Sequence, residues 1–250
     1  MGVAVAQGVG NARIDGRKND ELRPVTITPG YLAFAEGSAL IEMGMTKVLC
    51  SATVDDRVPP FMRGEGKGWV TAEYAMLPRS SGSRIAREGL SGRPRGRTQE
   101  IQRLIGRCLR GVTDREALGE RAILLDCDVI QADGGTRTAA ITGAYVALYQ
   151  ALLGLTRNRL LPSIPLAHRV AAVSVGLVDG DLLLDLCYGE DSRAEVDFNI
   201  AMTDAGELVE LQGATEGAPF PRKLVEEVLA SAELGTAQLF EAQAQAIGSL

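Results

Sequence analysis

The pattern of apolar and polar positions divides the chain into blocks of strand followed by helix. Arg23-Pro24-Val25 opens an extended stretch, and Ala39–Met43 and Thr46–Val54 read as two strands joined at Gly44. Trp69–Met76 reads as a further strand. Ile101, Leu104, Ile105, Cys108, Leu109 and Val112 then recur at i, i+3, i+4 and i+7, the stripe of an amphipathic helix, with Arg103, Arg107 and Arg110 off it. Ala122–Ile130 alternates as a strand does, with Asp126 and Asp128 on one face and Leu125, Cys127 and Val129 on the other. An alanine-rich helix is expected from Thr136 to Leu155. Pro162 and Pro165 mark a long connection and a candidate boundary between halves.

Past that connection, Val170–Val178 and Leu182–Cys187 form a hairpin across Asp179-Gly180, and Glu195–Met202 and Leu208–Gln212 form another. Pro221 suits the first turn of a helix running through Leu229. A separate final helix is expected over Gly235–Ile247. Strands and helices come in blocks and the two halves resemble one another coarsely, which predicts a layered α+β fold over a doubly wound parallel sheet. Pro78–Gly96, rich in Arg, Gly and Ser, has no periodicity and reads as a loop.

Charge changes this picture locally. The formal net charge of −6 argues against a nucleic-acid partner. Yet Arg79, Arg84, Arg87, Arg93, Arg95, Arg97, Arg103, Arg107 and Arg110 crowd one segment with only Glu88 and Glu100 to offset them. Local sign decides what a surface attracts. Cys50, Cys108, Cys127 and Cys187 are widely spaced within apolar patterns, as expected of buried thiols in a reducing, cytoplasmic setting. With His168 the only histidine, neither a histidine-centred triad nor a multi-histidine metal site is expected, and His168 itself is expected to be structural. Residues 1–12 read as an extension without the basic start of a signal peptide. No apolar run is expected to be long enough to cross a bilayer.

Candidate chemistry gathers at two helix starts. Gly134-Gly135-Thr136-Arg137-Thr138 puts flexible backbone, a hydroxyl and a guanidinium where a helix begins, and Gly96-Arg97-Thr98 repeats the theme. A helix start already presents free N–H groups and partial positive charge, so an arginine there is misplaced unless an anion sits beside it. The pattern is neither a Walker loop nor a dinucleotide fingerprint. It suits free phosphate or a phosphodiester. Glu190-Asp191 with Glu195 and Asp197 form an acidic constellation, with Glu195, Asp197 and Asn199 on one strand face. Carboxylates without cysteine or histidine suit Mg²⁺ or Mn²⁺, or could protonate a leaving oxygen. A wet strand face is the competing reading. No nucleophilic side chain is evident, so a bound inorganic phosphate could itself be the nucleophile.

These residues also carry a resemblance. Asp20–Val25 (DELRPV), Gly66–Arg79 (GKGWVTAEYAMLPR), Gly96–Arg103 (GRTQEIQR), Leu125–Thr138 (LDCDVIQADGGTRT) and Tyr188–Asp197 (YGEDSRAEVD) closely resemble the bacterial ribonuclease PH family. The resemblance runs from about residue 13 to the final helices. It implies an α+β fold like the second domain of ribosomal protein S5, in a duplicated arrangement, with one ribonuclease PH domain over 13–250. It implies a phosphate-dependent 3′→5′ exoribonuclease that trims precursor tRNA, releases nucleoside diphosphates and can run in reverse. Arg97, Gly135, Thr136 and Arg137 match the family's phosphate-binding residues. Asp191 and Asp197 match its catalytic, metal-associated aspartates, with Mg²⁺ or Mn²⁺ as the cation. Arg79, Arg84, Arg87, Arg93 and Arg95 match a basic loop that guides RNA. The family forms homohexamers built as trimers of dimers. The competing expectations are a catalytically silent RNA-binding ring subunit and a hydrolytic metal-dependent nuclease.

Overall fold

The computed structural model describes residues 13–88, 95–215 and 217–250. The first half builds a five-stranded sheet from β1 (Val25–Pro29), β2 (Gly37–Met43), β3 (Thr46–Asp55), β4 (Trp69–Met76) and β5 (Ala122–Gln131), in the order β1-β2-β3-β5-β4. Neighbours are antiparallel except β4 and β5, which run parallel from Trp69↔Ala122 to Met76↔Val129. A parallel pair needs a crossover. The chain supplies it with the arginine-rich loop, helix α1 (Gly96–Val112) and the short α2 (Arg115–Leu118). The α1 stripe predicted from periodicity is the buried one. The alternation of β5 is likewise borne out, with Leu125, Cys127 and Val129 buried and Asp126 exposed.

Helix α3 (Thr136–Arg157) leaves β5 and lies on β2 and β3 while also touching β6 of the second sheet. With mean hydropathy 1.4 it is long and apolar enough to span a bilayer, contrary to the sequence expectation. It is also the core helix of this fold, and its Ala-rich face is buried between the halves. The second sheet has the order β7-β6-β8-β9, all antiparallel, from β6 (Val170–Val178), β7 (Asp181–Leu184), β8 (Val196–Thr203) and β9 (Leu208–Thr215). One continuous hydrophobic cluster joins both sheets through α3.

Two boundaries differ from the pattern reading. Strand β7 stops at Leu184, because Asp185 adopts φ 55° and turns the chain toward a four-residue helix, α4 (Tyr188–Asp191), that periodicity does not reveal. The two expected C-terminal helices are one, α5 (Arg222–Gly248), with Pro221 as its N-cap. Gly235, which reads as a break, is a point of close approach: a Cβ there would stand 2.9 Å from Leu184 Cδ1. The N-terminal extension 1–12 lies outside the described residues.

Candidate active site

The turn that joins β5 to α3 is built on two left-handed glycines, Gly134 (φ 74°) and Gly135 (φ 63°). A Cβ on Gly134 would lie 2.4 Å from the Leu186 carbonyl oxygen, so only glycine lets this backbone pass against the turn leading to α4. Gly135 is the N-cap of α3, with no capping side chain and no acidic residue in the first turn. The leading N–H groups of a 22-residue helix therefore open unneutralised. They open onto a cavity of about 530 Å³.

Gly134, Gly135, Thr136 and Arg137 line that cavity, together with Arg97 from α1, Asp191 from α4 and Asp197 from β8. The structure thus brings together every phosphate-binding and catalytic candidate from elements far apart in sequence. Neither Arg97 nor Arg137 forms an ion pair among the described residues; Arg137 Nη1 donates to Gln212 Oε1 at 3.0 Å. Two guanidiniums facing one cavity without a carboxylate partner are poised for an anion. The start of α1 is less bare than its sequence suggests. Glu88 reaches back to it, its Oε1 accepting from Thr98 Oγ1 at 2.9 Å and its Oε2 from the Arg95 N–H at 3.4 Å.

The turn beneath the cavity is stitched by long-range contacts. Thr46 Oγ1 donates to the Gly134 carbonyl (2.7 Å) and accepts from the Asp133 N–H (2.9 Å). Asp133 Oδ1 accepts from the Tyr188 N–H (3.1 Å). Arg23 grips buried Asp185 through Nε (2.9 Å) and Nη2 (2.7 Å). On β4, Tyr74 Oη and Thr136 Oγ1 are 2.8 Å apart, and burial raises the Tyr74 phenol while Arg97 and Arg137 act against that rise.

The acidic constellation divides. Asp197 and Asn199 lie on the cavity face of β8, with Val196, Phe198 and Ile200 buried behind it, as alternation requires. Asp191 is exposed by area but lines a concave wall where protein excludes bulk water. That desolvation, and then the nearby Asp197 charge, raise its pKa against the pull of Arg137, Arg97 and Arg23. Glu190 does not belong to the site. It is buried, and Arg13 donates to it from Nε (2.8 Å) and Nη2 (2.6 Å). Burial alone would raise Glu190, but Arg13 and the Cys187 N–H hold it below the usual carboxylate range. Glu195 is exposed, precedes β8 and does not line the cavity.

Asp191 and Asp197 offer oxygen donors only, a set that fits Mg²⁺ or Mn²⁺ held by one or two carboxylates with water and phosphate completing the shell. Among the described residues, no larger His, Cys, Asp and Glu cluster exists. The four cysteines are free and buried, and His168 sits away from the cavity with Nδ1 3.5 Å from Asp204.

The described part of the arginine loop runs beside the cavity. Ser81, Gly82 and Ser83 line it, whereas Arg79, Arg84, Arg87 and Arg95 are exposed and point elsewhere than into the lining. Arg79 donates to the Gly82 carbonyl (3.3 Å), Arg95 lies 3.8 Å from Glu88, and Arg87 is near enough to Asp128 to oppose the burial-driven rise of its pKa. Arg93 lies outside the described residues. Sequence reasoning passed over Tyr74 and the anchoring arginines Arg13 and Arg23. A tyrosine in an otherwise small, apolar strand is the one local signal that could have pointed to the first.

Comparison with known proteins identifies the chain's family and fold. Residues 21–153 match the family model described as 3′ exoribonuclease family, domain 1, and residues 168–234 match domain 2 of the same family. The chain is 58% identical to the ribonuclease PH of Moorella thermoacetica over 238 residues, covering 95% of each chain. It is 55% identical to that of Dehalococcoides mccartyi over 231 residues, covering 92% of this chain and 96% of the relative. Among solved structures, an Archaeoglobus fulgidus exosome with RNA bound to the active site superposes with a TM-score of 0.77 at 24% identity, covering 92% of both chains. An archaeal exosome core gives 0.74 at 22% identity, covering 92% of this chain and 91% of the other. These likenesses support the S5 domain 2-like α+β fold. On these matches the chain belongs to the ribonuclease PH family, the phosphorolytic 3′→5′ exoribonucleases.

Proposed function

We propose that inorganic phosphate sits between Arg97, Arg137, Thr136 and the uncapped start of α3, and there attacks the last phosphodiester of an RNA 3′ end. The observation that carries this reading is the convergence of Arg97, Thr136, Arg137, Asp191 and Asp197 on one cavity. A phosphate oxygen bonds to phosphorus, and the bond from phosphorus to the 3′ oxygen of the preceding nucleotide breaks. A proton reaches that oxygen. The products are a nucleoside 5′-diphosphate and an RNA one nucleotide shorter, and the same steps reversed add a nucleotide. The two guanidiniums and the helix N–H groups hold the incoming oxyanion and spread the charge that builds in flight.

Asp197 assists the leaving oxygen, with Asp191 as its partner. The raised pKa of Asp191 keeps its proton to higher pH than an ordinary carboxylate, so the pair can hold a proton beside the leaving group. The same carboxylates would hold Mg²⁺ or Mn²⁺, which supplies charge neutralisation at the phosphoryl oxygens. Arg79, Arg84, Arg87, Arg93 and Arg95 would track the backbone of precursor tRNA outside the pocket. A homohexamer, built as a trimer of dimers, would arrange several such loops around a common entrance. The single hydrophobic cluster shared by both sheets supports one functional unit over 13–250. The free, buried thiols support a cytoplasmic setting. A silent ring subunit would have no use for unpaired arginines opposite a raised aspartate.

The test is a product assay on RNA with an unpaired 3′ end. Nucleoside diphosphates are expected only when phosphate is present. Nucleoside monophosphates released without phosphate would identify a hydrolase and overturn the proposal.

A further inference from the structure

Tyr74 is a buried tyrosine whose hydroxyl has one partner among the described residues, Thr136 Oγ1 at 2.8 Å. Thr136 lines the cavity and Tyr74 does not. The phenol does not line the pocket, and the contact it makes toward it is with the threonine. Burial raises its pKa, so it keeps its proton through the neutral range, and Arg97 and Arg137 both lie within electrostatic reach of it.

The direction of this hydrogen bond matters. If Thr136 donates to Tyr74, its one hydroxyl hydrogen is used up and a lone pair faces the cavity, where an anion would be repelled. If Tyr74 donates to Thr136, the threonine hydrogen is free to donate into the cavity, and the accepted bond polarises its O–H. A strand supplies the orientation. Tyr74 pairs with Cys127 across the parallel β4–β5 ladder, and β5 runs on to the glycine turn that opens α3. The phenol is thus fixed by the sheet and Thr136 by the helix.

We infer that Tyr74 is a positioning residue for phosphate: its hydroxyl donates to Thr136 and turns the threonine O–H toward the bound oxyanion. This rests on the reading of Thr136 as a phosphate ligand, and the test separates the two. Tyr74→Phe removes only the hydroxyl and leaves the ring packed. The expected result is a rise of roughly five- to tenfold in KM for phosphate, the loss of one hydrogen bond to an anion. The kcat at saturating phosphate, the KM for RNA and the melting temperature should move little. Thr136→Val should raise the phosphate KM by at least as much, and adding Tyr74→Phe to it should change nothing more, because the phenol then has no hydroxyl to orient.

A wild-type phosphate KM in Tyr74→Phe, alongside a raised one in Thr136→Val, would overturn the Tyr74 assignment and leave the pocket reading intact. Equal, additive effects of the two substitutions would also overturn it, by showing that Tyr74 acts independently of Thr136. An unchanged phosphate KM in Thr136→Val would instead contradict the reading of Thr136 as a ligand, and the Tyr74 role would fall with it.

Discussion

The half built on the five-stranded sheet brings cations to the cavity, and the half built on the four-stranded sheet brings carboxylates. Arg97 and Arg137 ride on the first turns of α1 and α3. Their positions follow from helix starts and, for Arg137, from two left-handed glycines, of which Gly134 leaves no room for a side chain. Asp197 stands on a strand face, and Asp191 on a four-residue helix that has too few backbone bonds to hold itself. That short helix is kept in place by the buried Arg13–Glu190 and Arg23–Asp185 pairs. Local backbone rules thus dominate at the two helix starts, although Thr46 also braces the turn before α3, and ion pairs across the fold dominate at α4. Under the proposed mechanism the chemistry would divide along the same line: one half would hold the attacking anion, and the other would manage the leaving oxygen.

If that division is right, the halves fail differently. The largest effect is expected from Asp197→Asn, a loss of about a thousandfold in kcat, the scale of removing a positioned proton donor. RNA binding should survive, as a filter or gel-shift measurement would show. A rise in phosphate KM without loss of kcat would break the comparison, because the acidic half would then be holding phosphate. Next is Arg137→Gln, with Arg97→Gln beside it. Each should cost on the order of a hundredfold in kcat/KM for phosphate, carried mainly by KM in steady-state kinetics at varied phosphate.

A smaller effect sharpens the role of the rim. Replacing Arg79, Arg84 and Arg87 together by Gln should weaken a structured tRNA substrate by roughly tenfold and flatten its salt dependence. A short oligonucleotide, which need reach only the pocket, should be cleaved almost as before. Equal loss on both would count against a guiding role.

The smallest effect concerns stability. Asp191 has a pKa raised above its unfolded value, so its ionised form costs the native state free energy. That cost is absent below the ordinary carboxylate range and appears as pH rises through the raised value. Asp191→Asn is therefore expected to raise the melting temperature slightly at neutral pH, an effect reduced by the solvent that reaches this carboxylate, and to lose that advantage in acid. The opposite trend would mean that Arg137, Arg97 and Arg23 outweigh burial and Asp197 at this carboxylate.

The same contrast explains what could be read from the chain. The α1 stripe, the β5 alternation and the glycine turn before Thr136 are signals confined to a few neighbouring residues, and they were legible. So was the face shared by Asp197 and Asn199. Glu190 was misread, because nothing near it in sequence announces Arg13, which meets it from 177 positions away. Asp185 turning the chain into α4 was hidden for the same reason, its partner Arg23 lying 162 positions off. Gly235 marks the expected start of a separate helix on sequence; the side chains of Leu184 and Val173 pressed against it inside one continuous helix are a tertiary fact.

The most direct test of the account is a crystal of the assembled protein soaked in phosphate. A tetrahedral anion should appear at the start of α3, bonded to the Thr136 hydroxyl and reached by both the Arg97 and Arg137 guanidiniums. An anion held by only one of them, or phosphate bound solely along the Arg79–Arg95 rim with the helix start empty, would contradict it.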